Sequence, residues 1–179
     1  MVRLKGVDAP EMDHEGGRHQ YFAREARQGL RRLVLDTALR VDTATMARDR
    51  FDRILAEVWL PDGRLLNQVL VRQGLAFFYP HPRQKLTDRE GLLSAQKQAM
   101  LEGQGFWARI LSMREAGETF IGNRRSRRFH RRECPYGRGM SRSNHIEFPS
   151  LRQAFAAGYA PCRECTDRKS TRLNSSHYS

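Results

Sequence analysis

Four side chains, His130, Cys134, Cys162 and Cys165, constrain the last third of this 179-residue chain more tightly than any hydrophobic pattern in it. His130 and Cys134 stand four apart, 27 residues follow, and Cys162-x-x-Cys165 closes the set. Two close pairs of imidazole and thiolate donors are the arrangement that folds a short, loop-rich segment around tetrahedral zinc. All three cysteines of the chain are used, and an odd count does not make a fully paired disulfide framework. The plainer reading makes the thiols small core hydrophobes and His130 a surface residue. A segment this short, with so few large apolar residues, could hardly hold a core without a metal, so zinc is expected.

Upstream the patterning is that of a globular domain. Val2 and Leu4 alternate with Arg3 and Lys5, which reads as a strand over Val2 to Val7 ended by Ala9-Pro10. Phe22, Ala26, Leu30, Leu33 and Val34 recur at helical spacing between Gln20 and Leu35, and Leu39 and Val41 continue into a short strand. Ile54, Ala56, Val58 and Leu60 alternate at period two up to the turn Pro61-Asp62-Gly63. A helix is expected from Leu66 to Gln73, with Gly74 as its left-handed cap and Leu75 making the hydrophobic contact of that motif. Thr87 with Glu90 has capping-box spacing and opens a third helix that runs to Glu102 and stops at Gly103. These elements define a first domain over 1–107. The apolar pattern fades over 108–118, read as a linker, and a second unit occupies 119–166 with one short helix around Leu151 to Ala157. Residues 167–179 are polar and aperiodic and look like the conceptual translation of a sequencing adapter.

Lys and Arg number 32 against 20 Asp and Glu, a formal net charge of +12 that points to a polyanionic partner. Nucleic acid and an anionic membrane surface both fit. No apolar run approaches the roughly 20 residues that span a bilayer. Arg124, Arg125, Arg127, Arg128, Arg131 and Arg132 crowd around the first ligand pair, where they could contact phosphates without reading sequence. A solvated basic face is the other reading of that cluster.

The segment VRLKGVDAPE, Val2 to Glu11, carries the second chemical constellation. Two carboxylates three positions apart, held by proline, can place one oxygen on a hard divalent cation and leave the other to activate water. Arg3 on the preceding strand can neutralise a phosphate through paired hydrogen bonds, and Arg53, at a strand start in DRFDRILAEVWLPDG, can clamp it from a second side.

VRLKGVDAPE, DRFDRILAEVWLPDG, LLNQVLVRQGLAFFY and the closing GFW resemble, in order and spacing, thermonucleases of the staphylococcal nuclease type, over about Val2 to Trp107. The resemblance implies a five-stranded OB-type β-barrel with helices, and calcium-dependent hydrolysis of DNA and RNA phosphodiesters by in-line attack of water. It assigns Arg3 and Arg53 to the phosphate clamp, Asp8 to calcium and Glu11 to the general base. Ala9 stands where some members have threonine, and Asp52 where glycine is common. Members carry two further strands and an Asp-Gly-Asp-Thr motif before this point. The sequence is therefore expected to be a fragment, with Met1 an internal start, short of one calcium carboxylate and inactive by itself. The alternative is a non-catalytic nucleic-acid-binding or scaffold protein of the same fold. The compartment is left open.

FHRRECPY followed by AFAAGYAPCREC resembles the zinc domain of the bacterial alkylation-repair regulator Ada. There the first ligand is a cysteine that accepts a methyl group. His130 holds that place here, and imidazole is no equivalent of a thiolate nucleophile. A structural Zn2+ in a small α+β module is therefore expected, and methyl transfer is not.

Overall fold

The computed structural model describes residues 1–12, 19–42, 47–112, 119–162 and 165. The expected tail at 167–179 and most of the expected linker lie outside them.

The expected first strand is divided by a turn at Lys5-Gly6 into β1 (Val2–Leu4) and β2 (Val7–Asp8). Helix α1 (Ala23–Val34) presents small residues, Ala23, Ala26 and Gly29, to the interior. A β-carbon at Gly29 would meet Leu75 Cδ1 at 2.4 Å, so this helix comes closer to its neighbour than any other residue would allow. Strand β3 (Arg40–Val41) follows. The run expected as one strand from Ile54 to Leu60 is split into β4 (Ile54–Ala56) and β5 (Val58–Trp59). Glu57, at the break, is almost wholly buried and accepts hydrogen bonds from the Thr87 amide (3.0 Å) and hydroxyl (2.7 Å). One run thereby serves two ladders: β4 pairs in parallel with β1, and β5 antiparallel with β3.

Helix α2 (Leu66–Arg72) ends as expected. Gly74 has φ +63°, its amide donates to the Val71 carbonyl and the Leu75 amide to the Leu70 carbonyl, the paired bonds of a Schellman cap. Strand β6 (Phe77–Phe78) pairs antiparallel with β2. Helix α3 (Arg89–Glu102) starts one residue later than the capping-box pattern places it. Asp88, not Thr87, is the cap and accepts from the Gly91 amide at 2.7 Å, because the Thr87 hydroxyl is already committed to Glu57. Residues read from the sequence as the start of a linker are helical, in α4 (Trp107–Ser112), with Ile110 and Leu111 packed against the core. In this part of the chain the ladders among the described residues are three two-stranded sheets. Ladders of this length neither close a barrel nor argue against one.

The second unit adds β7 (Phe120–Asn123), β8 (Arg128–Arg131), the short helix α5 (Pro135–Arg138), β9 (His145–Phe148), α6 (Leu151–Ala156) and β10 (Ala160–Pro161). Its strands form one sheet in the order β10-β8-β7-β9, parallel only at β10-β8. Helix α6 was legible from sequence. The four-stranded sheet was not.

The two units share one aromatic core. Phe155 of α6 stacks on Phe77 (centroids 5.3 Å apart, 9° between planes) and meets Trp107 and Phe129 edge to face. Buried Gln96 joins them by hydrogen bonds too, receiving the Phe78 amide and donating to the Phe155 carbonyl, each at 2.8 Å. Phe155→Ala is expected to cost about 3–5 kcal/mol, the range for emptying a buried phenyl site. With a common core, urea unfolding followed by tryptophan fluorescence and by far-UV circular dichroism should give one coincident transition. Two separated transitions would show that the units fold independently.

Candidate functional site

The first site is built where β1, β2 and α1 meet. An open cleft of about 330 Å³ is lined by Arg3, Asp8 and Glu11, with apolar walls that include Leu30 and Leu75. Arg3 is carried by β1 opposite Leu55, and Asp8 by β2 opposite Phe77. Glu11 lies beyond Pro10, its amide donating to Gln20 Oε1 and its carbonyl receiving the Gln20 amide, so the loop is tied to the start of α1.

Arg53 is not among the residues lining this cleft. It precedes β4, and its Nε and NH2 grip Asp49 Oδ2 at 2.7 and 2.5 Å. That hydrogen bond holds the Asp49 carboxyl at about 2, far below the usual range. A phosphate on Arg53 would therefore compete with an anchored carboxylate. Asp52 adopts φ +61°, the left-handed conformation that glycine takes most easily, and its charge is drawn off to Arg48 at 3.1 Å.

Asp8 is the focus of a contact that the sequence did not disclose. Its Oδ2 receives NH2 of Arg128, from β8 of the second unit, at 2.6 Å, with the side chains only 15% (Arg128) and 14% (Asp8) exposed. Arg128 also donates from NH1 to the Pro161 carbonyl at 2.7 Å and lies over the Tyr79 ring at 3.7 Å. Burial opposes its charge, but Asp8 and Tyr79 outweigh that cost and raise its pKa. Nearby, His81 is pushed below its ordinary value by burial first and then by the cations Arg3, Arg83 and Arg128. The period of a strand was a usable signal: in RFHR, Arg128 shares a face with His130, not with Arg131.

The six clustered arginines do not act from one face. Arg128 turns inward. Arg124 donates to the His145 carbonyl, Arg127 lies 5.1 Å from the Tyr159 ring, and Arg132 reaches Thr119 and, at 3.4 Å, Glu147. Arg124, Arg125 and Arg132 are exposed, while Arg127 and Arg131 are half-buried.

The second site gathers all four expected ligands. His130 comes from β8, Cys134 caps α5, and Cys162 follows β10, where its amide bonds the Phe129 carbonyl at 2.9 Å. Cys165 closes a turn onto the Cys162 carbonyl. Their ligand atoms lie within 4.8 Å of one another. Three thiols and an imidazole at that separation fit a zinc ion, whose bonds of about 2.0–2.3 Å would draw them slightly together. The Cys162 thiol is driven well down by the Cys165 hydrogen bond, against burial, and further by His130. Cys165 is pushed up by Cys162 and by burial. Burial works against charge on His130, yet Cys162 and Cys134 raise its pKa.

Among the described residues this is the one group of three or more metal-ligating side chains. Asp8 and Glu11 are hard oxygen donors, right in kind for calcium, but too few for its six to eight ligands without water, and Asp8 already carries Arg128. As they stand, the two carboxylates do not fit a calcium site.

Comparison with known proteins follows this division. The staphylococcal nuclease homologue family matches residues 1–109, and the metal binding domain of Ada matches residues 107–167. The chain is 34% identical over 107 residues to an uncharacterized endonuclease of Escherichia coli, covering 60% of this chain and 62% of that protein. It is 32% identical over 109 residues to the thermonuclease of Staphylococcus hyicus, again covering 60% and 62%. A probable endonuclease of Phaeosphaeria nodorum is 31% identical over 121 residues, 65% of this chain and 40% of that one. The chain thus spans less than two thirds of each relative's length.

Zinc should bind one to one through the second cluster, and native mass spectrometry should show its loss in Cys162→Ser. Zinc takes thiolates and neutral imidazole, and the upward shifts of Cys165 and His130 strengthen the competition from protons, so apparent affinity should weaken as pH falls. Calorimetry in buffers of different ionisation enthalpy reads the released protons. Tight binding that is indifferent to pH would contradict the assignment.

Proposed function

Because the chain belongs to the staphylococcal nuclease homologue family through residues 1–109, we propose that it hydrolyses phosphodiester bonds of DNA and RNA. The observation that carries this reading is the cleft that brings Arg3, Asp8 and Glu11 together. Hydrolysis needs a positioned water, a neutralised phosphate and a stabilised leaving oxygen. Glu11, on the cleft's loop, would take the proton from water as general base. Arg3 would hold the phosphate by paired hydrogen bonds and strengthen its grip as charge gathers on the phosphoryl oxygens. Arg53 would join it after release from Asp49. Calcium is the cation that the resemblance implies for this chemistry.

The second unit would add affinity for the same substrate, with zinc as a structural ion. Its exposed arginines would contribute by releasing counterions from the phosphate backbone.

A second reading, a nucleic-acid-binding protein that does not cut, is favoured by the Asp8–Arg128 pair, which leaves the carboxylate neutralised by a side chain. Cleavage of supercoiled plasmid and of single-stranded RNA, measured beside binding with calcium and with chelator, separates the two. Under the first reading, Glu11→Gln should lower turnover about a hundredfold or more. Arg3→Lys should cost about a hundredfold, because lysine cannot make the paired contact. Binding without cleavage in the unsubstituted protein would favour the second reading.

The arginine cluster has its own test. Replacing Arg124, Arg125 and Arg132 together with serine should flatten the dependence of log affinity on log salt by roughly one unit for each phosphate that the variant no longer neutralises. An unchanged slope would mean that this face meets only water.

A further inference from the structure

Arg128 belongs to the second unit by sequence and to the first unit's site by position. Three contacts fix it: Asp8 on NH2, the Pro161 carbonyl on NH1 and the Tyr79 ring beneath its plane. It sits two residues before the ligand His130, and Pro161 immediately precedes the ligand Cys162. The parallel β10-β8 ladder sets Pro161 opposite Phe129, so the strands carrying the zinc ligands are the ones that aim this guanidinium. A long, flexible side chain is thus held to one place by a rigid frame.

Its partner is the carboxylate that the family resemblance assigns to a divalent cation. With both side chains largely out of solvent, the repulsion between a guanidinium and a second cation on the same carboxylate is only weakly screened. Arg3 lines the same cleft as Asp8 and adds positive charge there. We propose that Arg128 is a positioning residue that serves as Asp8's internal counter-cation, so that Arg128 and a divalent cation are alternative partners of this carboxylate. The proposal rests on the reading of Asp8 as the cation ligand of the nuclease site. It explains why that carboxylate does not present itself as a calcium site: the second unit already supplies the positive charge.

The test is calcium binding, not cleavage, so it stands or falls separately from the nuclease reading. Calcium would be titrated calorimetrically into the zinc-loaded full chain and into Arg128→Met, which keeps an unbranched apolar stem over Tyr79 and removes the charge. Binding should tighten about tenfold or more in Arg128→Met. The gain should vanish when Asp8→Asn is added, which locates it at this carboxylate. Calcium affinity that is equal or weaker in Arg128→Met overturns the proposal, as does a gain that survives Asp8→Asn. Should Arg128→Met lose its zinc or its cooperative unfolding, Arg128→Lys replaces it. Lysine keeps the charge but cannot hold Asp8 and Pro161 at once, so a smaller tightening is expected, and none at all counts against the proposal.

Discussion

The stacking of Phe155 on Phe77 holds this molecule together as one body. Around that pair, Phe106, Trp107, Phe120, Phe129, Phe148 and Tyr159 close a core to which both halves of the sequence contribute. The second unit is too small to bury its own sheet, and the His130, Cys134, Cys162 and Cys165 cluster gathers only the end where β8 and β10 meet. The other side of the sheet is covered by aromatic rings from the nuclease-family half. The Gln96 hydrogen bonds set the register of that packing, because a buried amide needs both of its partners in place. The position of Arg128 in the first cleft follows from it. β8 supplies Phe129 to the core and Arg128 to Asp8 from adjacent residues.

The sequence was most readable where the chemistry is local. Helix ends at Gly74 and Gly103 were visible because a left-handed residue after an apolar run has few alternatives. The zinc ligands were visible because spacing alone limits what two close pairs of donors can do. Arg3, Asp8 and Glu11 were visible as a motif, and the structure lines one cleft with all three. Thr87 reads as a cap in the sequence, yet its hydroxyl has a distant partner, Glu57, 30 residues away. The sheet of the second unit was hidden for a different reason. Its strands are two to four residues long, and RFHR and HIEF carry charges on faces that long-range packing alone defines.

Charge gave the least local information. A run of six arginines reads from sequence as one patch, since nothing in composition says which member turns inward. Strand geometry divides them and hydrogen-bond partners finish the division, so net charge was a poor guide to individual residues. Arg53 teaches the same lesson on a smaller scale. The family resemblance implies a clamping role for it, while its pairing with Asp49 is a matter of geometry.

A core assembled from both halves also has a direction in time. During synthesis, the residues matched by the nuclease family leave the ribosome first, with Phe77, Phe106 and Trp107 already made and the ring that covers them still to come. Until Phe155 emerges, that aromatic face meets water or a chaperone, and the exposed surface is of the kind that drives aggregation of partly folded chains. Vectorial folding would therefore stall at the nuclease-family half and finish only when α6 docks. The order of the two units along the gene thus sets how long the nascent chain is vulnerable.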